Sequence, residues 1–254
     1  MSEIALTRED TLELLATGEV ESLGLLPWSS NYTFLVKIMG EIPRPHGKTD
    51  IAEVMAVYKP RRGEAPLWDF PEGTLCQREL ASYMVSVALG WDLIPPTVLR
   101  DGPHGVGSVQ LYIDNDADQH FFTFRDDKAY CDQLKRLSAF DLITNNADRK
   151  SGHCLLDKCG HVWAIDHGIT FNTDYKLRTV IWDFAGQPIA PEMLADMRRL
   201  LDSIGPKQPL GKALRALLEE DEVATFKRRI HGLIDMGAFP GPNRTQRSIP
   251  WPPV

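Results

Sequence analysis

Four charged side chains stand in an order that suits phosphoryl transfer. Lys59 ends a predicted strand, and Glu79 lies within the helix predicted after it. Asp148 and Asp166 flank a predicted hairpin further along the chain. Phosphoryl transfer needs a cation on the nucleotide phosphates, acids that hold a metal ion, and a carboxylate beside the attacking hydroxyl. The order of these residues therefore indicates the chemistry of an ATP-dependent phosphotransferase.

Two short motifs surround the two aspartates. The first runs from Asn145 to Arg149 and reads Asn-Asn-Ala-Asp-Arg, with His153 five positions after its aspartate. The second runs from Ala164 to Gly168 and reads Ala-Ile-Asp-His-Gly. They resemble the catalytic loop and the metal-binding Asp-Phe-Gly turn of the kinase superfamily, specifically its phosphoinositide 3- and 4-kinase-like branch, which includes HipA-like kinases and small bacterial relatives. The similarity covers the range from about Ser29 to Phe171.

The resemblance implies a two-lobed α+β fold, with a small β-rich N-terminal lobe, a larger and mainly helical C-terminal lobe, and ATP between them. It implies that Asp148 orients or deprotonates the acceptor hydroxyl and that Asp166 binds the metal. Arg149 would brace the loop or the phosphates, and Lys59 would contact the ATP phosphates while pairing with Glu79. The other nucleotide contacts would come from a covering turn and from the lobe connection: Ser30, Asn31 and Tyr32 in the turn, Gln110 and Tyr112 in the connection.

His153 departs from the kinase pattern, because these kinases place there an asparagine that holds a second metal. Imidazole is a poorer ligand than oxygen for Mg²⁺. His153 would therefore coordinate a softer ion such as Mn²⁺, hydrogen-bond a phosphate, or orient Asp166. We expect Asp166 and His153 to form the metal site, with Mg²⁺ or Mn²⁺ as the ion. The turn from Ser29 to Thr33 also lacks the glycines that let a loop approach phosphates closely.

Two further functions fit parts of the same pattern. Clustered aspartate and histidine suit metal-activated water. A metal-dependent hydrolase would use Asp148, His153, Asp166 and His167. Lys59 and Glu79 discriminate against this hypothesis, since a hydrolase has no use for such a pair. A non-catalytic, nucleotide-binding pseudokinase is the third hypothesis, because of His153 and the missing glycines.

Some nearby residues have simpler interpretations. Five of them superficially resemble a zinc cluster: His153, Cys154, Cys159, His161 and His167. Their spacing departs from paired zinc ligands, so a structural zinc site is disfavoured. Asn146 is interpreted as the end of a helix, whereas Asn145 suits either a helix end or a functional role. Lys176 and Arg178 suit an anionic substrate but are more typical of a solvated surface.

The elements that must position these residues follow from capping signals and periodicity. Thr7 to Gly18 predicts a capped helix that we expect to be peripheral, and Leu75 to Ala88 predicts a helix closed by Gly90. Strands are predicted at 34–36, 54–58 and 106–113, a helix at 134–143, a hairpin from 154 to 165, and helices between 189 and 236. These elements define an ATP-binding lobe at 1–113, a catalytic lobe at 114–238 and a proline-rich tail at 239–254.

Composition restricts the partners. The chain has 254 residues, of which 43% are hydrophobic and 25% charged, as in ordinary globular proteins. The formal net charge of -7 argues against nucleic acid and anionic membranes as partners, so a protein or soluble acceptor is favoured over a lipid. No apolar stretch reaches membrane-spanning length and no secretion signal is visible, so we expect a cytoplasmic protein without a transmembrane segment. Four irregularly spaced cysteines predict no disulfide.

Overall fold

The computed structural model describes residues 6–26, 31–44, 48–243 and 245–254. Two compact units are present. The first comprises the described residues up to Leu80 together with Pro95–Tyr112, and the second comprises Ala81–Ile94 and Ile113–Val254. Residues 81–94 lie in the second unit, where Leu93 O accepts a hydrogen bond from Ala164 N and Trp91 Nε1 donates one to Asp196. The proline-rich segment after residue 239 also belongs to this unit.

The first unit is built on one antiparallel sheet of five strands in the order β1-β2-β3-β5-β4. The strands are β1 (Glu19–Leu25), β2 (Phe34–Arg44), β3 (Lys48–Pro60), β4 (Thr97–Gly102) and β5 (Gly105–Leu111). Neighbouring residues of a strand point to opposite faces. Lys59 is opposite Ser108, and Val57 is opposite Gln110. Lys59 and Gln110 therefore share one face, and Tyr58 lies on the other.

Helix α1 (Arg8–Thr17) covers the Tyr58 face of the sheet. It begins at Thr7, whose side chain and that of Asp10 form a capping box. Leu14 and Leu15 are buried in one cluster with residues of β2, β3 and β5. A Cβ atom at Gly18 would lie 2.6 Å from Ile38 Cγ2, so the end of the helix touches the sheet. The helix is thus part of the core, and its predicted peripheral position is wrong.

The second unit is mainly helical. Its helices are the C-terminal part of α2 (Leu75–Leu89), then α3 (Phe121–Phe124), α4 (Cys131–Thr144), α5 (Pro191–Ser203), α6 (Pro209–Leu217) and α7 (Glu220–Met236). Strands β6 (Cys154–Leu156) and β7 (Val162–Ala164) form the hairpin between α4 and α5. The described chain thus holds seven α-helices and seven strands in a mixed α+β arrangement. None of the described helices combines the length and apolar character needed to cross a membrane.

Several predicted elements are present with different lengths. The helix ending before Gly90 and the hairpin lie where the sequence predicts them, and Gly90 adopts a φ of 69° as a C-terminal cap. Strands β2 and β3 are far longer than predicted. Strands β1 and β4 were not predicted, and the C-terminal helical region contains three helices where two were distinguished.

Candidate active site

Lys59 and Glu79 form an ion pair in the first unit. Lys59 Nζ lies 2.7 Å from Glu79 Oε1, and the two side chains are 21% and 5% exposed. Glu79 lies on a buried side of α2, where Cys76 and Tyr83 are also buried. A lysine held by a buried carboxylate keeps its ammonium group in one place while it retains access to solvent. Such a group can neutralise an anionic ligand at a fixed position.

The other predicted nucleotide contacts in the first unit differ in their surroundings. Gln110 is buried on the Lys59 face, and its Nε2 donates a 2.8 Å hydrogen bond to Thr97 Oγ1. Tyr112 follows β5, donates its backbone N–H to Met55 O at 2.9 Å, and is 41% exposed. The side chain of Gln110 is thus used within the sheet, whereas Tyr112 is open to solvent.

The predicted nucleotide-covering turn is bound to the segment after β3. Asn31 Oδ1 accepts a 2.7 Å hydrogen bond from Ala65 N, and Tyr32 N donates one of 3.1 Å to Gly63 O. Tyr32 is 64% exposed. Ser30, the third residue of this predicted set, lies outside the described residues.

Asp148 is positioned by the two asparagines that precede it. Asn145 ends α4 with a φ of 57°, a conformation that asparagine tolerates better than most residues. Asn146 is fully buried; its Oδ1 accepts a 3.0 Å hydrogen bond from Asp148 N, and its Nδ2 donates one of 3.1 Å to Asp141 Oδ1. Asn146 therefore fixes the backbone of Asp148, which goes beyond the helix-ending role inferred from sequence.

The sequence left open whether Asn145 only ends a helix or has a further role, and the structure shows both a helix end and further hydrogen bonds. Its Nδ2 donates hydrogen bonds to Asn172 O at 3.1 Å and Asp174 O at 2.7 Å, and its Oδ1 accepts one from Lys176 N at 2.9 Å. The residue both caps the helix and holds the loop that follows the second motif. The backbone of Lys176 is thus held by Asn145 in this loop.

Arg149 is the centre of a buried network. Its side chain and that of Asp141 are both 0% exposed, and Arg149 Nη2 lies 3.0 Å from Asp141 Oδ1. The Nη1 group donates to Ile165 O at 2.7 Å and to His153 O at 3.3 Å. Two roles were predicted for Arg149, bracing the loop or contacting phosphates. The enclosed guanidinium supports the first role.

Asp166 lies in a conformation that few non-glycine residues adopt. Its φ is 62°, and such conformations cluster at functional sites. Its side chain is 49% exposed, and Asp166 Oδ2 lies 3.3 Å from His153 Nε2. His153 Nδ1 accepts a 3.4 Å hydrogen bond from Lys150 N, which leaves Nε2 as the ring nitrogen that faces Asp166. Of the three predicted roles of His153, this geometry favours the orientation of Asp166.

Asp166 could hold a metal ion whose remaining ligands are oxygens of water and of substrate phosphates. No group of three or more His, Cys, Asp or Glu residues within the described ranges is arranged to hold a metal. Mg²⁺ usually binds one or two carboxylates and completes its shell with water and substrate phosphates. The half-exposed carboxylate of Asp166 is compatible with such a site.

His167 and the four cysteines are not arranged as metal ligands. His167 is fully buried, its Nε2 lies 2.6 Å from Arg149 Nη2, and its ring packs edge-on against Phe140. His161 Nε2 is 2.7 Å from Asp92 O, and the four cysteines are free. Within the described ranges, the five residues that superficially resemble a zinc cluster thus form no metal-binding group, and His167 faces the core.

The carboxyl group of Asp148 has a perturbed pKa. Burial raises the pKa above its ordinary value, Lys150 opposes the rise, and the nearby Asp166 adds to it. Lys150 Nζ lies 3.9 Å from Asp148 Oδ2. Paired carboxyl groups with perturbed pKa values are frequent in catalytic sites.

Three residues of this site were missed or set aside in the sequence. Asp141 lies within α4 and reads as an ordinary helical acid, although it accepts hydrogen bonds from Arg149, Asn146 and Thr179. Lys150 follows Asp148 by two positions, which is the only signal it gives. Arg178, interpreted as surface, donates its Nε to Ala147 O at 2.7 Å and so supports the loop.

The chain is similar to Protein Rv2133c of Mycobacterium tuberculosis, with 36% identity over an alignment of 285 residues that covers 99% of this chain and 98% of that protein. No family model matches the chain.

Two solved structures are also similar. The structure of hydra Fam20 with sugar has a TM-score of 0.55 and 14% identity, covering 89% of this chain and 87% of that chain. The Helicobacter pylori proinflammatory kinase CtkA has a TM-score of 0.44 and 11% identity, covering 89% and 94% of the two chains. The likeness to hydra Fam20 confirms the predicted kinase-like α+β fold.

Proposed function

We propose that this chain, which belongs to the family of Protein Rv2133c and has a kinase-like fold, is an ATP-dependent phosphotransferase. One observation carries the proposal. Arg149, the neighbour of Asp148 in the sequence, donates to the carbonyl of Ile165, the neighbour of Asp166, so one buried side chain ties the two aspartates' segments together. Phosphoryl transfer requires an acid beside the acceptor and an acid for the metal.

Asp148 is the proposed general base. Its carboxylate would accept the proton of the acceptor hydroxyl as the hydroxyl oxygen forms a bond to the γ-phosphorus of ATP. The bond between that phosphorus and the bridging β–γ oxygen would break, and ADP would leave. The fixed backbone of Asp148 supports this role, because such catalysis depends on positioning.

Asp166 is the proposed ligand of Mg²⁺ or Mn²⁺. The bound ion would neutralise charge on the transferred phosphate. His153 would donate to one oxygen of Asp166 and leave the other directed to the ion, as outer partners of metal ligands commonly do. This assignment gives His153 an orienting role in the predicted metal site.

Lys59 is the proposed contact of the ATP phosphates, and Glu79 would hold its ammonium group in position. The remaining predicted nucleotide contacts stay as proposed: Ser30, Asn31 and Tyr32 over the nucleotide, and Gln110 and Tyr112 beside the adenine. The motifs around Asp148 and Asp166 are the basis for proposing the phosphoinositide 3- and 4-kinase-like branch.

A protein or another soluble molecule is the proposed acceptor. The net charge of -7 disfavours approach to an anionic lipid surface. Hydra Fam20 was solved with sugar, so carbohydrate hydroxyls form one class of acceptor to test. Serine, threonine and tyrosine hydroxyls of proteins form the other.

The two competing functions fit fewer of the contacts. A hydrolase that uses His167 as a metal ligand would need a side chain that is buried against Phe140 and Arg149. A pseudokinase is compatible with the fold, and His153 in place of the usual asparagine favours it. Turnover distinguishes the pseudokinase from the enzyme.

The test is ATP binding by calorimetry with Mg²⁺ and with Mn²⁺, followed by transfer of labelled γ-phosphate to lysate proteins, to carbohydrates and to the chain itself. We expect metal-dependent binding and transfer, and we expect Asp166→Asn to abolish the transfer. Asp202→Asn is the matched control, because Asp202 is an exposed aspartate of α5. ATP binding without transfer to any acceptor would support the pseudokinase, and no binding would reject both.

A further inference from the structure

The proline-rich segment at the C-terminal end of the described chain contacts the catalytic loop. Ser248 is buried, and its carbonyl accepts hydrogen bonds from Thr179 N at 3.0 Å and from Trp182 Nε1 at 3.1 Å. Five residues later, Pro253 O accepts a 2.8 Å hydrogen bond from Ser151 N. We call residues 248–253 the C-terminal strap.

Ser151 is the point where the strap reaches the loop. It lies three residues after Asp148, begins a short 3₁₀ helix, Ser151–His153, and is 0% exposed. A buried backbone N–H that lacks a partner costs free energy, so nearly all such groups are paired. The carbonyl of Pro253 supplies the partner of this one.

The strap is also linked to the Asp148 loop through an intermediate segment. Arg149 N donates to Arg178 O at 2.9 Å, and Val180 N donates to Arg149 O at 3.1 Å. Thr179 Oγ1 lies 3.2 Å from Asp141 Oδ2, the acid that pairs with Arg149. The segment 178–180 thus forms backbone hydrogen bonds both with the catalytic loop and with Ser248 of the strap.

We propose that the C-terminal strap is a positioning segment that sets the orientation of the Asp148 loop, an inference that rests on the proposed phosphotransferase activity. The strap contacts the loop through the main-chain atoms of Ser151 and Pro253. It therefore affects the rate of transfer by fixing the loop. A displacement of about 1 Å at a catalytic group can reduce the rate by about 10²-fold.

Ser151→Pro removes the contact at its donor. Proline has no backbone N–H, and its ring would occupy the space between Ser151 and Pro253 O. The first position of a helix tolerates proline, and the preceding Lys150 has the extended conformation that proline requires, with φ of -87° and ψ of 165°. Ser151→Ala is the matched comparison: it keeps the N–H and removes a hydroxyl that has no hydrogen-bond partner in the described part of the chain.

The kinetic readout separates positioning from nucleotide binding. We expect Ser151→Pro to have a kcat at least tenfold below that of Ser151→Ala, with KM for ATP within about twofold, since the loop contact acts on the transferring end of the reaction. Equal kcat values for the two variants would overturn the proposal, as would a loss confined to KM for ATP.

A second variant, truncated after Ser248, removes the Pro253 contact without changing the loop sequence. We expect the same loss of kcat and partial rescue by a synthetic peptide of residues 249–254. Hydrogen exchange reports how firmly the strap holds the loop, and it does not depend on turnover. The amides of residues 151–153 should exchange at least tenfold faster in the truncated chain. Unchanged exchange would overturn the proposed positioning role of the strap. Faster exchange in a chain that transfers no phosphate would reject only the proposed phosphotransferase activity.

Discussion

Each of the two compact units contains an ion pair that involves predicted site residues, and the two pairs differ in exposure. Lys59 and Glu79 have side chains that are 21% and 5% exposed, whereas Arg149 and Asp141 are both at 0%. Lys59 extends from a regular strand, and Arg149 from an irregular loop. The first pair presents a charge to solvent, and the second encloses one.

This difference separates ligand binding from architecture. A lysine that is partly exposed can meet an anion, and its carboxylate partner fixes its position. The enclosed guanidinium of Arg149 instead donates hydrogen bonds to the carbonyls of His153 and Ile165, and so holds the catalytic loop against the turn that contains Asp166. The two pairs should therefore respond to substitution in different observables.

The largest expected effect is on stability and comes from Asp141→Asn. Removing one member of a buried ion pair leaves the other charge uncompensated, which costs about 3–5 kcal/mol. We expect the free energy of unfolding from urea titration to fall by this amount. Glu220→Gln is the control, because Glu220 pairs with Arg215 while 69% exposed. Its loss should cost about 1 kcal/mol or less. Equal effects of the two substitutions would contradict the architectural role of Asp141.

The next effect is on catalysis and comes from Lys59→Met. Loss of a fixed charge that stabilises a transferring phosphate typically reduces the rate by about 10²- to 10³-fold. We expect a reduction of this size in kcat/KM for ATP. Lys37→Met is the matched control, because Lys37 lies on the same face of the sheet and pairs with Glu21. A similar loss in both variants would assign no special role to Lys59.

The smallest effect is a shift in pH dependence from Lys150→Met. Lys150 lowers the pKa of Asp148, so its removal should raise that pKa further above the ordinary value. A base acts as the carboxylate, and the active fraction falls as the pH drops through its pKa. The acid limb of kcat/KM should therefore move to higher pH by roughly one unit or less.

Lys150→Arg keeps the charge and serves as the comparison for this prediction. Its acid limb should stay close to that of the wild-type chain. Identical limbs in the methionine and arginine variants would show that the charge at position 150 does not act on Asp148.

The sequence predicted features that depend on local chemistry. Asp148 and Asp166 stand in short motifs, Glu79 lies on a periodic helix, and Thr7 and Gly90 are capping residues whose roles follow from their neighbours. In each case the signal is contained within a few residues. The kinase-like fold was predictable because the two motifs that indicate it are also short and local.

Features that depend on distant backbone contacts were not predictable. Strand β1 is almost wholly exposed, so it shows no alternation between apolar and polar residues. Asp141 differs from a solvated helical acid because Arg149, Asn146 and Thr179 donate hydrogen bonds to it. The strap contacts Ser151 through the carbonyl of Pro253, a group that every residue type carries.

The central claim is best tested by single-turnover transfer of labelled γ-phosphate, comparing the wild-type chain with Asp148→Asn and measuring ATP affinity of both by calorimetry. We predict that both bind ATP with affinities within about twofold and that Asp148→Asn transfers phosphate about 10²- to 10⁴-fold more slowly, the usual contribution of a general base. Equal transfer rates, or no transfer by the wild-type chain with either Mg²⁺ or Mn²⁺, would contradict the account.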